Sequence, residues 1–362
     1  MAAAAPACPA DGDFVYSGFM QIYAGIDEAG YGPMFGPLVI GRAVFGIAPS
    51  APSASPVAET EPATALAPDL WKILTKAVCR ELNDKRGRIA VNDSKKVKTA
   101  AAGIRHMELG VLAFTALRAD VAAPTTVGDW LDCIGEREHR SLSQLPWYEA
   151  SDSRPWAALP TTTTAGEVAI ARNMLTTAAK ATGVHMLDLG AAVVFEDRFN
   201  RLVAATRSKA STSFTFVASH LAMIWDQYGE HDPIVAIDRQ SGRTRYRELL
   251  AQCFPSASIT VLDETNTVSA YRLRENGKSP RSMTVQFEVN GDGQHLPISL
   301  ASMVSKYTRE LLMARFQAWF SEKAPHVAPT AGYASDAKRF WAEIEPLLAG
   351  LNIRAELLRR NS

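Results

Sequence analysis

Three apolar runs of this sequence stop on an acid. Residues 23–26 lead into the adjacent pair Asp27 and Glu28, residues 233–237 end at Asp238, and residues 283–289 are followed three positions later by Asp292. A buried carboxylate without a partner costs several kcal/mol or takes up a proton, so acids gathered at strand ends imply a bound cation. Hard Mg²⁺ or Mn²⁺ accepts carboxylate oxygens and keeps waters for chemistry. Two such ions about 3.5–4 Å apart can activate a water and stabilise the leaving oxygen of a phosphodiester. Adjacent residues on a regular strand face opposite sides, so Asp27 and Glu28 serve one site only if the strand ends or distorts there. Gly30 and Gly32 permit that, and amides exposed at such a turn suit a phosphate or a sugar hydroxyl.

Each acid also has an ordinary reading. An Asp-Glu pair before a glycine makes a solvated turn, the NGDG around Asp292 makes a hairpin, and Asp238 could cap the helix expected in RQSGRTRYRELL. Nucleotide loops are excluded by the lack of Gly-Lys-Ser/Thr and of GxGxxG, and nucleophilic hydrolases by the lack of GxSxG or a Cys/His arrangement. The seven histidines show no paired spacing, and His295 reads as a loop residue. The four cysteines are scattered, which speaks against zinc knuckles and a disulfide framework and for a reducing compartment.

The positioning elements follow from periodicity. A strand, a Gly-rich turn and a second strand span 21–47; a helix is expected in DLWKILTKAVCRELND; helices are expected over 166–180 and 212–228. PIVAID, SITVLD and MTVQFEV read as strands, and Pro297 opens a long helix through ISLASMVSKYTRELL. Strands interspersed with helices give an α/β fold with a mixed sheet. Residues 48–68 and 141–165 lack a periodic apolar face and read as irregular. With 47% hydrophobic residues the chain can bury a full core, and with 38 basic against 38 acidic residues any nucleic-acid surface must be local. Two such local groups are Arg239, Arg243, Arg245 and Arg247, then Arg272, Arg274, Lys278 and Arg281, which could hold phosphates or face solvent. No run approaches membrane-helix length and residues 1–13 are no signal peptide, so the expected place is the cytoplasm.

The order of these blocks resembles ribonuclease HII, the type 2 ribonuclease H family. GIDEAGYGPMFGPLVIGRAV is similar to the family's opening GIDEAGRGP, NDSKKV to its DSKKL, and VAID to the strand bearing its third acid. NGDGQHLPISLASMVSKYTRE resembles KGD…ISAASILAKVTRD, and GYASD resembles the GY segment that follows. The resemblance implies a ribonuclease H-like fold, a central mixed sheet flanked by helices, over residues 21–347. It leaves 1–20 as a flexible lead-in, irregular insertions near 48–68 and within 106–190, and a tail at 348–362. Asp27, Glu28, Asp238 and Asp292 would hold Mg²⁺ or Mn²⁺ in a two-metal site. Gly30, Tyr31 and Gly32 would sense the ribose 2′-OH, Tyr333 would stack on the next sugar, and Lys95 and Lys96 would contact substrate. The implied activity is hydrolysis of RNA–DNA hybrids, or cleavage 5′ of a ribonucleotide in duplex DNA, by a monomer. Tyr31 stands where the family has arginine, Asn290 where it has lysine, and Glu310 where it has aspartate. The rival readings are a related nuclease with altered preference and a silent nucleic-acid-binding module.

Overall fold

The structure, a computed structural model, describes residues 20–49, 67–140, 142–239, 242–277 and 280–361. Nearly all of the expected lead-in, most of the 48–68 loop and Lys278 therefore lie outside the described residues.

Two antiparallel strands open the fold, β1 (Gln21–Ala29) and β2 (Leu38–Ile47). The one-turn helix α1 (Leu70–Ile73), the short parallel strands β3 (Val78–Cys79) and β4 (Ile89–Ala90), and the one-turn helix α2 (Ser94–Val97) come next. The helices α3 (Arg105–Thr115), α4 (Val127–Cys133) and α5 (Ala165–Thr182) lead to β5 (Val184–Val194). After α6 (Glu196–Thr206) and α7 (Lys209–Tyr228) come β6 (Ile234–Asp238), α8 (Arg247–Cys253), β7 (Ala257–Glu264), β8 (Val268–Glu275) and β9 (Ser282–Glu288). The chain closes on α9 (Leu296–Lys323), α10 (Ala334–Ile344) and α11 (Ala355–Leu358).

The main sheet has seven strands in the order β5-β2-β1-β6-β9-β8-β7. β1, β6 and β9 run parallel to one another, and the remaining pairings are antiparallel. This is a mixed α/β architecture, a central mixed sheet with helices on both faces. Side chains of β1 alternate between two cores: Tyr23 joins α3, α5 and α9 on one face, whereas Ile22, Ala24 and Ile26 join α7 and α8 on the other.

Sequence periodicity overreaches at residues 69–84. Helix α1 stops after one turn because Val78-Cys79 pairs with Ile89-Ala90 in a small sheet of its own. Strand β8 escapes the periodicity altogether: Ser269, Ala270 and Tyr271 are buried in succession, and Arg272, Arg274 and Glu275 break up what apolar run remains. Residues 348–361, expected as a tail, are packed in, with Leu348, Ile353, Leu357 and Leu358 inside the larger core. Buried Glu108 of α3 draws in the irregular 141–165 zone, accepting hydrogen bonds from the amides of Thr161, Thr162 and Thr163 and from Tyr307.

Helix α9 lies on β1 and β2 at their glycines. A Cβ on Gly25 would fall 2.1 Å from the Pro297 carbonyl carbon, and one on Gly41 would fall 2.5 Å from the Ala301 oxygen. Backbone there cannot yield as a side chain can. Gly25→Ala is therefore expected to lower stability by about 3 kcal/mol, read as a shift of the urea midpoint at unchanged slope.

Candidate active site

The parallel strands explain why acids gather at one end of the sheet. β1 and β6 run in register through Ile26 and Ile237, so the next residue on each, Asp27 and Asp238, stands side by side at the same sheet edge. β9 ends beside β6 and passes into a 3-10 turn, Gly291–Gly293, that carries Asp292. The turn is tied back to the set, because the Gly291 amide donates to Asp238 Oδ1 at 3.0 Å.

Helix α9 fixes these ends from below. Ser305 Oγ donates to the Asp27 carbonyl at 3.0 Å, Ser302 hydrogen-bonds the Asp27 carboxyl, and Ser299 Oγ donates to the Asp292 carbonyl. Behind them His295 bridges Tyr23 and Glu288, its Nε2 2.9 Å from Glu288 Oε2. That makes His295 a buried support of the turn.

The acids work against one another. Burial, then the neighbouring Asp238 charge, pushes the Asp27 carboxyl well up. Burial, then Asp292, raises Asp238 to about 6, and burial, then Asp93, raises Asp292. Asp93 is a site residue that the sequence reading does not single out. It caps α2 through the Lys95 amide at 2.9 Å and hydrogen-bonds Asp292. Its signal lies in NDSKK, whose two lysines are the more obvious candidates. Lys95 offsets the repulsion, drawing the pKa values of both Asp238 and Asp292 down.

Glu28 goes elsewhere. β1 continues regularly to Ala29, so Glu28 faces α7, where Ser213 Oγ donates to its Oε2 at 2.5 Å. The distortion that would bring both acids to one side is absent from this strand. The donor chemistry fits a hard divalent ion, since it consists of buried and half-buried carboxylate oxygens that repel one another. Among the described residues, no three His, Cys, Asp or Glu side chains converge closely enough to hold one, so the acids meet in pairs.

The Gly-rich loop is held by two buried arginines. Arg309 of α9 donates to the carbonyls of Pro37 (3.1 Å) and Phe35 (2.9 Å). Arg360 donates to those of Gly30 (2.6 Å) and Pro33, and its amide to that of Met34 (2.9 Å). Gly30 has φ +86°, and a Cβ on it would meet the Pro37 oxygen at 2.6 Å, whereas the position on Gly32 opens onto free space. Buried Glu196 receives the Gly36 amide at 2.9 Å, and burial pushes its carboxyl up to about 7. Burial, then Arg309, lowers Arg360 to about 10. Half-buried Tyr31 packs beside the α7 core.

Tyr333 stands next to this loop, because the Met34 amide donates to the carbonyl of Gly332. The residue is 41% exposed, with Lys306 Nζ 5.8 Å from the ring centre. Lys95 and Lys96 are exposed on α2. The arginines between the third and fourth acids are partly spent on structure: Arg239 holds the carbonyls of Thr265 and Asn266, Arg272 pairs with Asp232, and Arg281 with Glu275.

No family model and no curated protein matches this chain. Among solved structures it is similar to the ribonuclease HII of Archaeoglobus fulgidus, solved in a complex with PCNA, at 14% identity, with 94% of each chain covered and a TM-score of 0.40. The ribonuclease H2 of Pyrococcus horikoshii OT3 gives 15% identity, 93% and 92% coverage and a TM-score of 0.37. Bst ribonuclease HIII in complex with Mn²⁺ gives 12%, 94% and 66%, and 0.38. Likeness of this degree carries no argument by itself, and the roles below rest on this chain's own residues. Among the described residues no helix is long and apolar enough to cross a membrane.

Two outcomes follow from this geometry. A carboxyl raised to about 6 contributes stability below its unfolded value near 4 and loses it as pH rises through 6. In EDTA, Asp238→Asn should match wild type at pH 4 and exceed it by about 1–2 kcal/mol at pH 8, and Mg²⁺ should close that gap by stabilising wild type. The second concerns the loop. Arg360→Met should speed hydrogen exchange of the Tyr31, Gly32 and Met34 amides by about tenfold, and unchanged exchange would show that Arg309 alone holds the loop.

Proposed function

We propose that this chain is a divalent-metal-dependent nuclease of the type 2 ribonuclease H kind. Its substrate is the RNA strand of an RNA–DNA hybrid, or a ribonucleotide embedded in duplex DNA, cut on its 5′ side to leave 3′-OH and 5′-phosphate. The observation that supports this reading is the pairwise crowding of carboxylates, Asp27 beside Asp238 at the ends of two parallel strands and Asp238 beside Asp292 in the turn after β9. Repelling carboxylates destabilise a fold unless a cation uses them. A binding protein has no need to assemble them.

Asp27, Asp238 and Asp292 would hold the ion, with Asp93 at their rim. Glu28 would join them only by leaving Ser213. A bound Mg²⁺ or Mn²⁺ supplies Lewis-acid activation of water and stabilises charge on the leaving oxygen. Lys95 holds positive charge beside the acids, where a substrate phosphate must come. The arginines occupy the carbonyls of the 30–37 loop, so its backbone is fixed for close approach of a sugar, and Gly32 leaves room for it. Recognition of a 2′-OH by such a backbone distinguishes RNA from DNA at one nucleotide. Tyr333 offers a ring face beside the loop, and Tyr31 a second aromatic surface.

The placement of Glu28 against Ser213 favours one alternative, a nucleic-acid-binding module without hydrolysis. Three labelled duplexes separate the readings: all-DNA, DNA with one ribonucleotide, and full RNA–DNA hybrid. Each is incubated in Mg²⁺ or Mn²⁺ with wild type and with Asp238→Asn. The expected result is a cut 5′ of the ribonucleotide that the variant loses by at least about 10³-fold. Binding without cutting of any duplex would leave the module.

A further inference from the structure

A groove of about 800 Å³ opens beside α2, lined by Arg80, Lys85, Arg86 and Lys96 together with Glu81 and Asp84. Its wall is built. The turn between β3 and β4 closes on Asp84, which accepts from the amides of Arg86 (3.1 Å) and Arg88 (3.0 Å) and from the Arg88 guanidinium (2.7 Å). Those hydrogen bonds hold the Asp84 carboxyl well below its usual range, and they use up Arg88. Lys85 and Arg86 are thereby carried on a fixed turn, both exposed. Arg80 is stacked on Trp71 at 3.9 Å, and its carbonyl receives the side-chain amide of Asn92 at 3.1 Å.

The charge of this groove is not compensated. Its lining carries five cations, Arg88 included, against two acids, in a chain whose overall charge is zero. Among the described residues Arg80, Lys85, Arg86 and Lys96 form no ion pair, whereas nearby Lys98 and Lys72 do. The groove and the acids share one element. On the single turn of α2, Lys95 acts on Asp238 and Asp292 while Lys96 lines the groove.

We propose that this groove is a second binding surface for duplex nucleic acid, holding the sugar–phosphate backbone beyond the point of cleavage. It rests on the substrate class proposed above and extends it. The interaction is one of charge with phosphate, with no base edge read, so it adds affinity and register without sequence preference. Lys85 and Arg86 come from the β3–β4 turn, a part of the chain that none of the resembling blocks covers.

The test uses the full chain and the double variant Lys85→Gln/Arg86→Gln, whose side chains are exposed. Binding of a labelled all-DNA duplex and of the single-ribonucleotide duplex is measured in EDTA across roughly 50 to 200 mM salt. Every phosphate that is no longer neutralised should flatten the slope of log affinity against log salt by about 0.9. The slope of the variant should therefore fall by close to twice that amount, and its affinity should weaken equally on both duplexes. Its kcat on saturating ribonucleotide duplex in Mg²⁺ should stay within about twofold of wild type. Unchanged slope and affinity would overturn the proposal even if wild type cuts. Loss of binding in the variant, with no cutting by wild type, would uphold the groove and sink the nuclease reading. No duplex binding by wild type would sink both. Polyglutamate binding that the variant loses, with duplex binding intact, would overturn the proposal in favour of an acidic protein partner.

Discussion

The distance between helix α9 and strands β1 and β2 is the constraint on which the site depends. Glycines at 25 and 41 let the helix backbone come into contact with the strands, and from there α9 reaches both the acids and the loop. Ser302 and Ser305 fix Asp27, Ser299 fixes the turn bearing Asp292, and Arg309 holds the loop that follows β1. A helix standing off by one methyl group would leave these short side chains out of hydrogen-bonding range. The serines and glycines of this interface are small for the same reason: the space between the elements is already filled by backbone.

Two opposite charge problems sit on either side of that interface. At the strand ends carboxylates crowd together with Lys95 as a nearby cation. Under the loop two guanidinium groups crowd together with Glu196 as the neighbouring carboxylate. The second problem is met by carbonyl oxygens, which accept from arginine without carrying a full charge. The first has no such answer within the protein, and the metal proposed above would supply one.

Much of this was legible from the chain. Period-two runs located β1, β2, β6 and β9, the Pro297 start located α9 to within one residue, and acids at strand ends marked Asp27, Asp238 and Asp292. What was not legible has physical causes. The facing of Glu28 depends on whether β1 stays regular through residue 29, which the Gly-rich sequence leaves open. The β3–β4 pair overrode a helical pattern because strand pairing is a long-range gain that local periodicity does not carry. Asp93 and Arg309 stand inside motifs whose other residues are the more conspicuous ones. Arg360 gave no signal at all: its role comes from the packing of residues 348–361, whose spacing is that of any short amphipathic end.

The loop between β1 and β2 is made near the beginning of the chain, yet its carbonyls are held by residues 309 and 360 and one of its amides by the carbonyl of residue 332. During synthesis the N-terminal strands can pair as they leave the ribosome. The loop cannot take its final shape until residue 360 has also emerged. A nascent chain thus carries Asp27 and Glu28 without a settled loop beside them until the residues up to 360 have been made.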